Sequence, residues 1–95
     1  MKRFLTILIL MLSVFSITNT YSEEMHKEYY DSGKILKESY FSNDKKNGLE
    51  KIYYENGKIS SIKNYKNGLE EGEFIWYYED GNIKEKAFYK NGVKQ

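Results

Sequence analysis

The residues best equipped for chemistry in this 95-residue chain are its single histidine, His26, the glutamates around Gly72 (Glu70, Glu71, Glu73), and a set of paired tyrosines with one tryptophan, Trp76. A histidine with a serine and a carboxylate could support nucleophilic catalysis, but the base must be held rigidly within reach of the nucleophile. His26 precedes the first tyrosine pair and has no counterpart further along, which places it at an edge or in a tail. The chain has no cysteine, so neither a Cys–His pair nor a Cys/His metal site can be built within one chain. The three glutamates, or Glu79 with Asp80, suggest calcium at first sight. Calcium needs about 6–8 converging oxygens, and these residues read as solvated acidic turns. Paired carboxylates for glycoside hydrolysis need a cleft between them, which a thin sheet does not supply. The sequence therefore assigns no catalytic residue, no cofactor and no metal, and the chain reads as a non-enzyme.

The aromatic residues carry more information. Tyr29-Tyr30, Tyr53-Tyr54 and Tyr77-Tyr78 recur every 24 residues. Tyrosine and tryptophan dominate binding hot spots, and at a repeated offset they could also stack against sugar rings. In an extended chain, residues two apart share a face. Tyr30, Tyr54 and Tyr78 therefore go with Ile52 and Trp76, and Tyr29, Tyr53 and Tyr77 go with Ile75. One set must face the core, so at most one is free to bind. Tyr53, Tyr77 and Ile75 are the candidate partner-binding residues, because their row includes Lys27 and Lys51 and reads as wetter.

What must position these side chains is a repeat. The units run 29–52, 53–76 and 77–95, the last truncated, and all seven glycines (Gly33, Gly48, Gly57, Gly68, Gly72, Gly81, Gly92) sit on its frame. Self-similarity at this period means that each unit is one supersecondary element. Glycine at a fixed offset marks a backbone site needing positive φ, and Asn-Gly or Asp-Gly between strand-like runs is a strong hairpin signal. These seven are read as turn glycines. Runs such as Phe74-Ile75-Trp76-Tyr77-Tyr78 are aromatic and β-branched, as strands prefer. The class is all-β, an antiparallel hairpin repeat forming a meander of roughly six strands. Ile35, Ile59 and Ile83 share parity with Phe41, Tyr65 and Tyr89 and are expected on one face. The opposite parity, with Leu36, Glu38, Ile62 and Lys86, is expected to be wetter. Charges in 25–30 and 82–90 mark the two ends as polar caps.

The front of the chain is different. Met1-Lys2-Arg3 is basic, residues 4–17 are an almost unbroken apolar run, and residues 18–22 are polar and mostly small. This is the layout of a secretory signal peptide over residues 1–22, a hydrophobic helix with cleavage near Ser22. The run is shorter than the roughly 20 apolar residues of a membrane span, so an inner-membrane anchor through residues 4–17 is the second reading. Residues 23–28 read as a polar lead-in, and residues 29–95 as the repeat domain. Of 15 basic and 14 acidic residues, Lys2 and Arg3 leave with the signal, giving 13 against 14 and a net charge near −1. Such a balance offers no field for nucleic acid or anionic lipid. Membrane contact is confined to an uncleaved signal segment.

At these residues the chain resembles the MORN-repeat variant family. The match is carried by Tyr53-Tyr54-Glu55-Asn56-Gly57-Lys58-Ile59, by Tyr65-Lys66-Asn67-Gly68 and by Gly72-Glu73-Phe74. Residues 77–92 follow the same pattern, and residues 29–48 follow it loosely, with Asp44-Lys45 where Gly68-Leu69 and Gly92-Val93 stand. The resemblance implies a single-layer stack of β-hairpins without catalytic machinery, and a platform for protein or membrane contact. Many bacterial members carry the label of toxin–antitoxin antitoxin.

The functional expectation is an exported, non-enzymatic repeat protein acting by protein–protein contact at the cell envelope, in the periplasm, or outside the cell. The alternatives are an antitoxin or immunity-like protein and an envelope glycan- or membrane-associated binder. Self-association through edge strands is a further expectation for partners.

Overall fold

The computed structural model describes residues 23–95, all strand and turn. The signal helix and the cleavage site expected from the sequence fall outside the described residues. The elements are β1 (Glu23–Tyr29), β2 (Ile35–Ser42), β3 (Lys45–Tyr53), β4 (Ile59–Lys66), β5 (Leu69–Glu70), β6 (Gly72–Tyr77), β7 (Ile83–Lys90) and β8 (Val93–Lys94). They form one antiparallel sheet in the order β1-β2-β3-β4-β6-β7-β8, with β5 also paired to β4. The meander expected from the repeat is present, with two short strands added to the six long ones. Residues 23–28, expected as a lead-in, belong to β1, which pairs with β2 along its length.

Two turn types alternate, and each follows from its residues. The β1–β2, β3–β4 and β6–β7 hairpins close by one scheme. Gly33, Gly57 and Gly81 N–H donate back to the carbonyls of Tyr30, Tyr54 and Tyr78, each at 2.9 Å. Their φ values of 93°, 93° and 96° suit glycine, which lacks the Cβ that penalises this region. Asn56 and Asp80 side chains brace two of these turns by accepting from Lys58 N–H and Asn82 N–H at 2.8 and 2.9 Å. The other turns are two-residue loops, Asn43-Asp44, Asn67-Gly68 and Asn91-Gly92, with positive φ at both positions. That is the type I′ geometry whose twist matches the flanking strands.

Asn47-Gly48 corrects an expectation. It is not a hairpin turn: it lies inside β3, where the register of β2 against β3 shifts between Ser39 and Phe41. Its repeat counterpart Gly72 opens β6 after the break that separates it from β5. Both keep positive φ, 113° and 82°, so glycine is needed here for a bend within a strand line rather than for chain reversal.

A second correction concerns the isoleucines. Tyr29 pairs with Ile35 while Glu28 pairs with Lys37, and the same one-residue slip recurs at Tyr53↔Ile59 and Tyr77↔Ile83. Leu36, Ser60 and Lys84 are the extra residues of a bulge repeated in each unit. A one-residue slip reverses face parity. Ile35, Ile59 and Ile83 therefore share a face with Tyr29, Tyr53 and Tyr77, and not with Phe41, Tyr65 and Tyr89.

The two faces of the sheet are unequal. Every buried residue (Ser39, Glu50, Ser61, Phe74, Ala87) belongs by register to the same face as Phe41, Ile52, Tyr65, Trp76 and Tyr89. This is the inner face. Phe74 anchors it, with ring centroids 4.6 Å from Tyr89, 5.7 Å from Tyr65 and 6.0 Å from Trp76. Among the described residues no large side chain is fully enclosed, as expected of one layer. Cohesion comes from cross-strand pairs rather than from a second layer.

Candidate interaction surface

The outer face bears none of the buried residues and is ordered in rows. One row pairs tyrosine with isoleucine in each hairpin: Tyr29↔Ile35, Tyr53↔Ile59 and Tyr77↔Ile83. The next runs Lys27↔Glu38↔Lys51↔Ile62↔Ile75↔Lys86 across six strands. The candidates Tyr53, Tyr77 and Ile75 thus lie on one face, with Lys27 and Lys51 beside them. All three are half-buried. A groove of about 400 Å³ lies between the first two Gly turns, lined by Gly33, Lys34, Ile35, Tyr53 and Gly57.

Tyr53 is fixed in this surface. Its hydroxyl donates to Glu38 Oε1 at 2.7 Å, and Lys27 Nζ lies 4.0 Å from the other Glu38 oxygen. The hydrogen bond to Glu38 stabilises the neutral phenol; with partial burial and the carboxylate's charge, it raises the Tyr53 pKa to about 12. The second tyrosine of each pair works differently. Tyr30 donates to the Tyr53 carbonyl and Tyr54 to the Tyr77 carbonyl, each at 2.6 Å. These bonds join each hairpin to the next.

Sequence reasoning missed two features. Met25, Leu49 and Phe88 on the outer face are 44%, 44% and 56% exposed, more open than the residues singled out. The signal was weak, because Met25 and Leu49 share a repeat position with the charged Glu73. The other feature is a polar cluster on the inner face. Glu50, 3% exposed, accepts from Ser39 Oγ at 3.1 Å and from Lys46 Nζ at 2.5 Å, and Lys46 sits 4.8 Å from the Tyr65 ring centre. Burial pushes the Glu50 pKa up, but the bonds from Lys46 and Ser39 and the charges of Lys46 and Lys37 outweigh it and hold it below the usual range. The available signal was that Glu50 stands in frame with Phe74.

Register brings His26 opposite Ser39, and Ser39 opposite Glu50. The bonding does not suit nucleophilic catalysis. Ser39 is 2% exposed and donates its hydroxyl hydrogen bond to Glu50. His26 packs on Phe41 at 4.5 Å and turns Nε2 toward Glu24 at 3.5 Å. No hydrogen bond joins His26 to Ser39, whereas a nucleophile needs its base within reach. Among the described residues no group of acidic and histidine side chains could hold a metal ion.

Three hairpins, each closed by a Tyr-x-x-Gly turn and tied to its neighbour by a tyrosine, also have a match among known families. The MORN repeat variant profile matches residues 26–43, 46–67 and 70–91. The chain belongs to the MORN-repeat variant family. Each matched segment falls on one hairpin of the MORN array, cutting the same succession of strands at a different phase from 29–52, 53–76 and 77–95. The MORN type is a binding repeat. No curated protein and no solved structure matches the chain.

Proposed function

We propose that this chain is a non-enzymatic protein–protein interaction module that works at the cell envelope or outside the cell. The observation that carries this reading is the outer face. It repeats a tyrosine–isoleucine row beside a row of three alternating charges, two isoleucines and a lysine, on a sheet tied together by its own cross-strand bonds. A preorganised surface of this kind loses little conformational freedom on binding. Tyr53, Ile75 and Tyr77 are its anchors, with Met25, Leu49 and Phe88 as open apolar contacts. Export rests on the basic start, apolar run and polar close of residues 1–22.

The test is affinity capture from envelope fractions with the full chain and with the Tyr53→Ala, Ile75→Ala, Tyr77→Ala triple variant. A partner retained by the first and lost by the second supports the reading. Equal retention by both, or no specific partner for either, counts against it. A partner that proves to be a toxin neutralised by the chain would convert the reading to an immunity role.

A further inference from the structure

Among the described residues, the edge of β7 that faces away from β6 is open over most of its length, and the preceding repeats show how such an edge is covered. Tyr30 and Tyr54 each donate to a carbonyl on the neighbouring hairpin. Tyr78 holds the same place in the third hairpin, is 51% exposed, and makes no such bond among the described residues. Lys84 Nζ lies 6.0 Å from its ring centre. β7 is the repeat equivalent of β2 and β4, whose far edges are covered by β3 and by β5 with β6. Among the described residues, the same edge of β7 is covered at Tyr89 and Lys90 by β8 and at Phe88, whose carbonyl accepts from Gln95 N–H at 2.7 Å, which leaves residues 83–87 open. Ile83 and Phe88 beside the open stretch are 50% and 56% exposed.

We propose that the open edge of β7 takes an extended strand of a partner protein, in the register that the array already uses between its own hairpins. Addition of a strand to a free edge is an established recognition mode, with affinity from main-chain bonds and specificity from side chains. The pairs Ser61↔Trp76 and Ile62↔Ile75, advanced by one 24-residue unit, set one partner residue opposite Lys86 and the next opposite Glu85. The complementary strand carries an acidic residue at the first position and a basic residue at the second. The residue after these accepts the Tyr78 hydroxyl through its carbonyl.

A second copy of the chain is the rival occupant, since β1 is the repeat equivalent of the strands that cover β2 and β4. In the same register it places Lys27 opposite Lys86 and Glu28 opposite Glu85. Like charges directly opposite are destabilising. Within the chain the corresponding pairs are Glu38↔Lys51 and Ile62↔Ile75, which are matched. The charges on the two ends thus admit a complementary partner strand and turn away end-to-end stacking. This inference deepens the interaction-module reading, on which it rests, by naming a second contact and the strand that fits it.

The test uses the full chain in mild detergent, which covers the apolar run of residues 4–17. Two labelled heptapeptides are titrated, one copying residues 23–29 and one with Lys27→Glu and Glu28→Lys exchanged. The exchanged peptide is expected to bind about tenfold more tightly and to shift the backbone amide signals of residues 83–88. In a chain carrying Glu85→Lys and Lys86→Glu, the preference reverses, and sedimentation shows end-to-end oligomers absent from the unmodified chain. Equal or undetectable binding of both peptides, failure of the reversal, or end-to-end oligomers of the unmodified chain would overturn the proposal. If the exposed edge substitutions leave partner capture intact while the outer-face triple variant abolishes it, this inference falls and the functional reading stands.

Discussion

The Tyr54 hydroxyl donates to the Tyr77 backbone carbonyl at 2.6 Å, so a side chain of one hairpin is bonded to the main chain of the next. The bond has a twin in Tyr30 and Tyr53, and it explains why tyrosine rather than phenylalanine recurs at this offset. Tyr54→Phe removes only the hydroxyl from a half-buried site and is expected to cost about 1 kcal/mol. Tyr78→Phe is expected to leave stability unchanged, since Tyr78 is exposed and has no such acceptor among the described residues. Urea midpoints of the two variants check the contrast.

Glu50 is the only buried carboxylate among the described residues, and its pKa is lowered by Lys46, Ser39 and Lys37 against the opposing effect of burial. A depressed pKa stabilises the fold above the carboxylate's ordinary range, and the contribution disappears as pH falls through the folded-state value. Glu50→Ala is expected to lose about 2 kcal/mol at neutral pH, because the Ser39 hydroxyl and the Lys46 ammonium lose their acceptor. The variant should also lose less stability than the parent on acidification. Denaturation midpoints from neutral pH to pH about 3, below the ordinary range, check both statements.

Tyr53, with its pKa pushed up to about 12, is expected to ionise well above the ordinary tyrosine value of about 10. A raised pKa adds stability that is fully present below the unfolded tyrosine value of about 10 and is lost as pH rises through about 12. Glu38→Gln removes the carboxylate and should return Tyr53 toward the ordinary value. Phenolate absorbance recorded against pH gives the answer: a component near pH 12 in the parent that shifts earlier in the variant.

Asp44 has φ 67° where the repeat counterparts Gly68 and Gly92 stand. Asp44→Gly should stabilise the chain by about 0.5 kcal/mol, the relief of left-handed strain exceeding the entropy lost by glycine. Gly48→Ala should do the reverse, costing about 1–2 kcal/mol. The added Cβ would meet Tyr40 Cβ at an ordinary 3.5 Å, so the penalty lies in holding φ at 113° rather than in a clash. Thermal midpoints of both variants decide the signs.

Much of this was legible because the fold is local and repeated. The tyrosine pairs and the Gly33, Gly57 and Gly81 turns revealed the period, the class and the neighbours of each strand. Asn47-Gly48 misled because positive φ serves both a chain reversal and a bend within a strand, and the dipeptide alone does not separate them. The isoleucines misled because parity counting assumes an unbroken strand, and the bulge residues Leu36, Ser60 and Lys84 carry no shared residue type to announce themselves. Glu50 was passed over because a charge in a strand usually faces water. Its burial depends on Ser39 and Lys46, brought to it across the β2–β3 register and along β3. Of the candidate site, shared placement of Tyr53, Tyr77 and Ile75 was readable, whereas their half-burial depended on pairing across strands.

The proposed function requires a protein partner seated on the outer face. The most direct measurement is cross-linking in envelope fractions from a photoreactive group placed at Leu49, which is exposed on that face, compared with one at Glu55 in the β3–β4 turn. One discrete adduct is expected from Leu49, lost when Tyr53, Ile75 and Tyr77 are changed to alanine in a chain whose circular dichroism is unaltered. No adduct from Leu49, or the same adduct from both positions regardless of the triple change, would contradict it.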